Sequence, residues 1–257
     1  MPTRDTNWPE GTPCWTDLMV SDGQAARAFY GVLFGWDFEV GGEETGFYSQ
    51  GKLDGRTVAG IGQPMPGQEA PPPAWMTYLA ADDVDTVVGR ITEAGGTVFM
   101  PAMEVMGFGR MAVAADTSGC VFGLWQGLSH TGMQRYNENG AVVWNEAHVL
   151  DFAAAKDFYA AVFGYTFTDL GDEGFHYVTV EVNGETVGGL GDSADGTAVW
   201  LTYFQVEDAD ALATRAVELG GTLLVEPRDS PYGRIAEVAG PAGERFALIV
   251  PAPGPAG

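Results

Sequence analysis

The chain has 257 residues, of which 46% are hydrophobic and 18% are charged, and its formal net charge is −23. This length suits two domains better than one, and the charge disfavours binding to nucleic acid or to anionic membrane surfaces. The polar N-terminus lacks a signal-like apolar segment, and no apolar run approaches the roughly 20 residues that span a bilayer. Two cysteines without paired spacing favour a reducing compartment, so we expect a cytoplasmic protein.

The second half of the chain repeats the first half. The motifs that recur, in the same order and at a nearly constant offset, are Trp15 and Trp144, Phe29-Tyr30 and Phe158-Tyr159, Phe34-Gly35-Trp36 and Phe163-Gly164-Tyr165, Trp75 and Trp200, and Gly95-Gly96-Thr97 and Gly220-Gly221-Thr222. Chance does not produce such an ordered series. The sequence therefore predicts two copies of one domain in tandem.

Each copy begins with a strand that leads into an amphipathic helix. Alternation predicts a strand at Trp15–Val20, and Ser21 opens a capping-box pattern that starts a helix ending at Gly35. In the second copy, Asp151 is the predicted cap and Gly164 the predicted end. The apolar stripes of the two helices are Ala26, Phe29, Tyr30 and Leu33, and Ala155, Phe158, Tyr159 and Val162.

Short strands with glycine turns and a second strand–helix–strand unit follow in each copy. Strands are predicted at Gly46–Gln50 and Thr57–Gln63, and a proline-rich stretch at Met65–Pro73 joins the two units. The second unit begins at Trp75, and its helix begins near Asp82–Asp83. The final strands of the two copies are predicted at Arg110–Ala114 and Val121–Trp125, and at Arg234–Val238 and Arg245–Val250.

Each copy is therefore expected to have the order βαβββ–βαβββ. The predicted layout is an N-terminal extension at 1–9, a first domain at 10–127, a linker at 128–139, a second domain at 140–251 and a frayed tail at 252–257.

These motifs resemble the vicinal-oxygen-chelate superfamily, which includes glyoxalases, bleomycin-resistance proteins and extradiol dioxygenases. The strand, helix cap, Phe-Tyr, Phe-Gly-aromatic and Gly-Gly-Thr motifs carry the resemblance, together with the closing turns at Asp116–Gly119 and Gly240–Gly243. The resemblance implies an α+β fold of two tandem domains, each with two βαβββ modules whose curved mixed sheets form a cup around a small ligand. One fold hosts many functions, so the chemistry stays open.

Enzymes of this superfamily usually hold a divalent metal with His and Glu on four strands. The resemblance places those ligand positions on residues that cannot bind a hard or borderline cation. The positions are Trp15 and Trp144, residues 59–61 and 188–190, Trp75 or Met76, Trp200 or Leu201, and Gly123 and Ala247. We therefore expect no metal and no cofactor in either domain.

The first strand of each copy carries the candidate catalytic groups. The side chains that share one face of these strands are Trp15, Asp17 and Met19, and Trp144, Glu146 and His148. A carboxylate beside an imidazole is a candidate acid–base pair at Glu146 and His148, with His176 as a third candidate catalytic residue. The same three residues could form an improvised metal site, or the pair could bind each other or a ligand without catalysis.

Aromatic and basic residues are the candidates for ligand binding. Tryptophans on the former ligand strands would suit planar or apolar ligands, although they could equally be core packing. Arg110 and Arg234 could bind an acidic group or form strand-end ion pairs. The candidate ligand-binding residues are Trp15, Asp17, Met19, Trp75, Tyr78, Arg110, Trp144, Trp200, Tyr203 and Arg234. Cys14 and Cys120 lack an adjacent base and are interpreted as core thiols.

Three functions remain open. The first is metal-independent binding of an aromatic or apolar metabolite or antibiotic, similar to the drug-sequestering members of the superfamily. The second is an enzyme of the glyoxalase/lyase, hydroxylase or dioxygenase kind that uses acid–base chemistry at Glu146 and His148 on a natural-product or aldehyde-type substrate. The third is a protein–protein contact. The expected partner is a small molecule, and the expected state is a monomer or a homodimer.

Overall fold

A computed structural model describes residues 2–65, 67–68 and 71–253 of the chain. The first domain contains β1 (Pro13–Met19), α1 (Gly23–Phe34), β2 (Asp37–Val40), a 3₁₀ helix (Glu43–Thr45), β3 (Ser49–Leu53), β4 (Arg56–Gly62), β5 (Trp75–Ala80), α2 (Val84–Glu93), β6 (Thr97–Val105), β7 (Gly109–Ala115) and β8 (Val121–Gly127). The second contains β9 (Val142–Val149), α3 (Phe152–Phe163), β10 (Thr166–Asp169), β11 (Tyr177–Val182), β12 (Glu185–Asp192), β13 (Val199–Gln205), α4 (Ala209–Glu218), β14 (Thr222–Ser230), β15 (Gly233–Ala239) and β16 (Arg245–Pro251). Within the described ranges, no helix is both long and apolar enough to cross a membrane.

Each domain forms one mixed, curved sheet of eight strands in which the two βαβββ modules lie side by side. The strand order is β2-β3-β4-β1-β5-β8-β7-β6 in the first domain and β10-β11-β12-β9-β13-β16-β15-β14 in the second. At the centre, β1 is parallel to β4 and antiparallel to β5, and β9 pairs in the same way with β12 and β13. The predicted α+β fold of tandem paired modules is confirmed.

Aspartate side chains start the four α-helices of the described chain, each by accepting a hydrogen bond from the backbone N–H three residues later. The caps are Asp22, Asp83, Asp151 and Asp208. The predicted cap at Ser21 is therefore wrong by one residue, because the carboxylate of Asp22 accepts from Ala25 at 2.9 Å. Gly35 and Gly164 end α1 and α3 with φ of 72° and 69°, where a Cβ atom would strain the backbone. The predicted apolar stripes of both helices are buried.

The helices lie between the two sheets and join the domains. The Tyr30 hydroxyl on α1 donates to Oε1 of Glu244 in the second domain at 2.7 Å. On the other side, the ring of Phe163 on α3 lies 6.2 Å from that of Phe122 on β8. The sheets therefore pack back to back through their helix-covered faces, and the hydrophobic core runs across both domains.

A buried polar cluster marks where the central strands of the two sheets meet. The hydroxyls of Thr77 and Thr202 both donate to Oδ1 of Asn145 at 3.1 Å. Because successive side chains alternate along a strand, Glu146 points away from this contact, and so does Asp17 on β1. We call the outer face of the first sheet, which carries Asp17, cup 1, and the outer face of the second sheet, which carries Glu146, cup 2. The two cups face away from each other.

The segment predicted as the linker lies against the first domain. Met133 N donates to the carbonyl of Cys14 at 2.7 Å, and Gln134 N donates to that of Thr57 at 2.8 Å. Met133 is buried, so this segment packs rather than spans a gap. Residues 66, 69 and 70 of the proline-rich stretch and residues 254–257 of the predicted tail lie outside the described residues.

Candidate functional site

The floor of cup 2 is a buried carboxylate held by four neighbours. Glu146 on β9 is only 8% exposed. Its Oε1 accepts from the Tyr203 hydroxyl at 2.6 Å and lies 2.7 Å from Nε2 of His148. Its Oε2 accepts from the Tyr177 hydroxyl at 2.7 Å and from Nε1 of Trp144 at 3.0 Å. A carboxylate accepts about four hydrogen bonds, so that of Glu146 is saturated by the protein.

These contacts determine the charge of Glu146. Burial alone would raise its pKa, but the hydrogen bond and charge of His148, and the hydroxyls of Tyr203 and Tyr177, outweigh burial and lower the pKa below its ordinary value. Burial and the neighbouring anion raise the pKa of both tyrosines. Cup 2 therefore holds a fixed negative charge between two neutral phenols at neutral pH.

His148 contributes an imidazole ring to the lining of cup 2. Its side chain is 19% exposed and lines the cavity above Glu146. Its Nδ1 has no hydrogen-bond partner among the described residues. Because Glu146 holds the other nitrogen, Nδ1 is available to a ligand.

A cavity of about 420 Å³ lies above this floor. Its lining combines rings, apolar groups and charges: Glu146, His148, Phe175, Tyr177, Gly191, Asp192, Ala194, Asp195, Tyr203, Val225, Arg228, Glu237 and Arg245. Phe175 and Tyr177 form a stacked aromatic wall with ring centroids 6.2 Å apart. This size and mixture are typical of sites for small organic molecules.

The two arginines of this cavity differ in their partners. Nε of Arg245 donates to Glu237 at 2.8 Å, and its Nη1 donates to Asp195 at 2.6 Å. Arg228 is exposed and has no hydrogen bond or ion pair with the described part of the chain. Arg228 is therefore free to bind an acidic or carbonyl oxygen of a ligand.

Cup 1 repeats the same frame with a shorter carboxyl side chain. Asp17 is 7% exposed, and its Oδ2 accepts from the hydroxyls of Tyr48 at 3.1 Å and Tyr78 at 3.3 Å. Nε1 of Trp15 donates to the Tyr48 hydroxyl at 3.0 Å rather than to the carboxyl group. The Oδ1 atom of Asp17 is buried and has no hydrogen-bond partner among the residues that the structure describes.

With fewer hydrogen-bond donors around it, the carboxyl group of Asp17 has a raised pKa. Burial raises the pKa of Asp17 to about 7, and the hydrogen bonds from Tyr48 and Tyr78 oppose the rise only in part. The linker closes one side of the cup, where the His130 ring lies 4.3 Å from that of Trp15. Burial lowers the pKa of His130 to about 4, so it is a neutral neighbour at physiological pH.

Most of the predicted site residues lie on the cup faces. Those in cup 1 are Trp15, Asp17, Met19 and Tyr78, and those in cup 2 are Trp144, Glu146, His148 and Tyr203. The structure thus brings together the predicted pair of Glu146 and His148 and adds Tyr203 to it.

The expectation that Trp75 and Trp200 line the cups is wrong. Nε1 of Trp75 donates to the Tyr30 hydroxyl at 3.1 Å, and Nε1 of Trp200 donates to the Tyr159 hydroxyl at 2.9 Å. Both tryptophans are 4% exposed and lie under the helices. Trp75 pairs across β1 with Leu18, whose side chain faces the helices, so the alternative of core packing holds.

Arg110 and Arg234, which were predicted to bind a ligand, lie away from both cups. Arg110 pairs with Asp85 at 2.6 Å, and Arg234 pairs with Asp210 at 2.7 Å and with Asp229 at 3.0 Å. The first two aspartates lie in the first turns of α2 and α4, on the helix side of the sheets. The alternative of strand-end ion pairs holds.

His176 does not join the acid–base pair. Its side chain is 67% exposed, its Nδ1 lies 2.9 Å from Asp192, and its ring stacks on Phe152 at 5.1 Å. The next residue, Tyr177, reaches Glu146, and alternation turns His176 to the opposite side. The structure therefore places His176 away from Glu146 and His148.

The donor chemistry of the cups does not suit the divalent metal of the superfamily. Within residues 2–65, 67–68 and 71–253, no three His, Cys, Asp or Glu side chains are arranged to hold a metal ion. An indole such as Trp15 or Trp144 donates and cannot ligate, and the oxygens of Glu146 are already taken. Cys14 and Cys120 are buried free thiols, as predicted, and burial raises the pKa of both.

Several site residues were missed by the sequence analysis. Tyr48 and Tyr177 hold the two carboxyl groups, and their recurrence at equivalent places in the two copies was the available signal. Arg228, Glu237 and Arg245 reach cup 2 from strands distant in sequence, so no local motif marks them.

Comparisons with known proteins agree with this architecture. The model of the Glyoxalase/Bleomycin resistance protein/Dioxygenase superfamily matches residues 14–124 and 142–248. "Putative glyoxylase CFP32" of Mycobacterium tuberculosis is 40% identical over 262 residues, covering 98% of this chain and 99% of that protein. "Anthracycline biosynthesis protein DnrV" of Streptomyces peucetius is 35% identical over 260 residues, covering 95% and 94%.

Solved structures show the same fold at low sequence identity. The Mn(II)-bound glyoxalase from Novosphingobium aromaticivorans aligns with a TM-score of 0.63 and 17% identity, over 95% of this chain and 89% of that one. The 2,3-dioxygenase LapB from Pseudomonas sp. KL28 aligns with a TM-score of 0.63 and 13% identity, over 97% and 96%. With both halves matched by the family model and similar relatives along almost its whole length, the chain belongs to the glyoxalase/bleomycin resistance protein/dioxygenase superfamily.

Proposed function

We propose that this protein binds a small, planar aromatic molecule in cup 2 without the help of a metal ion. The observation that carries the proposal is the cavity of about 420 Å³ whose floor is the saturated carboxylate of Glu146. A floor that is fully hydrogen-bonded within the protein is rigid and costs little reorganisation when a ligand arrives. It also leaves no oxygen of Glu146 free to bind a metal ion.

The lining of cup 2 favours a hydroxylated ring system. The stacked rings of Phe175 and Tyr177 and the side chain of Val225 offer surface for a flat aromatic body. His148 and Arg228 offer polar contacts for phenol, phenolate or carbonyl oxygens at its edge. The name of the relative DnrV refers to anthracycline biosynthesis, and anthracyclines contain fused, hydroxylated aromatic rings, which supports this ligand class.

The binding test uses 1,4-dihydroxyanthraquinone as the probe and isothermal titration calorimetry as the measurement. We expect saturable binding with one site in cup 2. Two substitutions in cup 2 should each weaken binding about fivefold or more. Arg228→Met introduces the type of residue found in cup 1, and Tyr203→Phe removes only a hydroxyl. Arg234→Ala lies outside both cups and serves as the control with unchanged affinity. The proposal fails if the probe does not saturate or if both cup 2 variants bind as tightly as the parent.

A second candidate function is metal-independent acid–base catalysis in the same cup. The specific observation is the 2.7 Å contact between Nε2 of His148 and Oε1 of Glu146, which fixes the imidazole ring beside the cavity that His148 lines. An oriented imidazole is suited to take a proton from a bound carbon acid or hydroxyl group. The relative CFP32, named as a glyoxylase, makes aldehyde-type substrates the first class to assay.

The catalytic candidate is separated from simple binding by His148→Ala. We expect turnover of the hemithioacetal of a 2-oxoaldehyde, followed by proton NMR in deuterated buffer with a chelator present, to fall about a hundredfold or more in the variant. The affinity for the ligand should fall only about fivefold, the loss of one polar contact. Equal turnover in the parent and the variant would remove His148 from any catalytic role. Absence of exchange in the parent would leave binding as the function.

A further inference from the structure

Methionines distinguish the two cups. All nine methionines of the chain lie at or before position 133. Five of them lie on the strands of cup 1, on the face that carries Asp17: Met19, Met76, Met100, Met103 and Met111. The strand register defines this placement, because residues that pair across neighbouring strands point to the same face of the sheet. Met76 pairs with Asp17 across β1 and β5. Met111 pairs across β7 and β8 with Trp125, which lies on the same face as Tyr78.

This methionine face is open to solvent at one side. Met100 is 38% exposed and Met103 is 46% exposed, although both side chains are large and apolar. Methionine is flexible and polarisable, so a methionine surface adapts to apolar ligands of different shapes and makes favourable contacts with aromatic rings. In cup 2, His148 occupies the place of Met19 and Arg228 that of Met103.

An unsatisfied polar atom lies on the same face. Oδ1 of Asp17 is buried and has no hydrogen-bond partner in the described part of the chain, while Oδ2 accepts from Tyr48 and Tyr78. Buried polar atoms are rarely left without a partner in folded proteins, so this oxygen points to a missing donor. In an apolar basin, a cationic donor satisfies both the hydrogen-bonding capacity and the charge of the carboxylate.

We propose that cup 1 is a second ligand site, which binds an apolar molecule carrying one primary ammonium group. The ammonium lies against Oδ1 of Asp17, and the apolar body lies on the methionine side chains. Cup 2 does not offer this interaction, because four protein groups saturate the carboxylate of Glu146. The proposal does not depend on the function proposed for cup 2.

The titratable surroundings of Asp17 predict how pH affects this site. Tyr48 and Tyr78 donate to Asp17, Cys14 lies beside Tyr78, and His130 of the linker packs on Trp15 next to the carboxyl group. Because burial raises the pKa of Asp17 to about 7 in the absence of ligand, acid protonates the carboxyl group and removes its attraction for an ammonium. Ammonium binding should therefore weaken as the pH falls below 7.

A matched pair of probes tests the proposal: 1-naphthylmethylamine and 1-naphthalenemethanol, which differ in the ammonium and the hydroxyl. By calorimetry at about pH 8, we expect the amine to bind about tenfold more tightly than the alcohol. Between about pH 8 and pH 5.5 the amine should lose about tenfold in affinity, whereas the alcohol should change little. Asp17→Asn should reduce the preference for the amine to about twofold or less.

Two further measurements keep the test decisive. Saturating cup 2 with 1,4-dihydroxyanthraquinone should leave the affinity for the amine unchanged. If 1,4-dihydroxyanthraquinone does not bind, the comparison of the parent protein with Asp17→Asn still tests the proposal for cup 1. Met103→Arg changes an exposed residue and should weaken the amine about fivefold or more by charge repulsion, with Met103→Leu as the control. Equal binding of amine and alcohol, or amine affinity that survives both Asp17→Asn and Met103→Arg, would overturn the proposal.

Discussion

Cups 1 and 2 share one frame but shift the pKa of their central carboxyl groups in opposite directions. In each cup, a carboxyl group on the first strand accepts from two tyrosine hydroxyls. Glu146 also receives an indole N–H and a histidine, and its pKa is lowered, whereas Asp17 receives neither and its pKa is raised to about 7. Because the two carboxyl groups are similarly buried, the number of hydrogen-bond donors within reach decides the direction of each pKa shift.

One methylene and one histidine account for this difference. The glutamate side chain is long enough for Trp144 to reach its carboxylate directly, while Trp15 bonds to Tyr48 instead of Asp17. The duplicated frame thus supports one polar cup and one apolar cup, so the two copies can serve different ligands. Matched substitutions in the two cups test this interpretation.

The largest expected effect is that of Glu146→Gln. The amide group places a donor where two protein donors point, so buried hydroxyl, indole or imidazole groups lose their acceptor. We expect a loss of about 3 kcal/mol in the free energy of unfolding at about pH 7, measured by urea denaturation. Because the pKa of Glu146 is lowered in the folded state, its stabilising contribution is present above the ordinary pKa of glutamate and is lost as the pH falls through the folded pKa. The penalty should therefore shrink in acid; a penalty independent of pH would contradict an ionised Glu146.

The matched substitution in cup 1, Asp17→Asn, should have the opposite sign. A raised pKa means that the folded state prefers the protonated acid, so ionised Asp17 destabilises the fold increasingly as the pH rises from about 4 to about 7. An amide removes that cost, and we expect a gain of about 2 kcal/mol at about pH 8 and no gain near pH 4. Urea denaturation at both pH values measures it. Destabilisation of equal size in both cups would show that the two carboxyl groups are equivalent.

The fold was predictable because its signals are local and occur twice. The helix stripes, the glycine ends at Gly35 and Gly164, and the order of elements follow from periodicity and turn chemistry over a few residues. The error at Ser21 arose because Asp22 offers an equally good capping side chain one position later. Alternation along a single strand also identified Glu146 with His148, since residues two apart share a face.

The rest of the site depends on register between strands, which local patterns do not contain. Trp75 and Trp200 lie on sheet strands as expected, but their pairing across the sheet turns them toward the helices. Tyr177 rather than His176 faces the site, because neighbouring residues on an extended strand point to opposite faces. Arg228 and Glu237 enter cup 2 only after β14 and β15 pair with the rest of the sheet.

A smaller effect is expected from exchanging the histidine of cup 2 for the residue of cup 1. His148→Met removes both the hydrogen bond and the charge that contribute most to lowering the pKa of Glu146. We expect the pKa of Glu146 to rise, because burial then opposes fewer stabilising contacts, and carbon NMR of the side-chain carboxyl follows it. The reciprocal Met19→His should lower the pKa of Asp17. If the pKa of the carboxyl group changes in neither variant, the histidine is not the cause of the difference between the two cups.

The smallest difference between the domains is expected on the helix side, where they are alike. Trp75 and Trp200 are equally buried, and each donates its indole N–H to a tyrosine on the first helix of its own domain. Trp75→Phe and Trp200→Phe should each cost about 1 to 3 kcal/mol, because they remove a buried hydrogen bond and part of a ring, and the two costs should agree within about 0.5 kcal/mol. Neither should alter the affinity for 1,4-dihydroxyanthraquinone or 1-naphthylmethylamine, since neither side chain reaches a cup. Weaker binding in one of these variants would mean that a change in the helix-side core alters the geometry of the cup in the same domain. The difference between the two domains would then extend beyond the two carboxyl groups and the residues beside them.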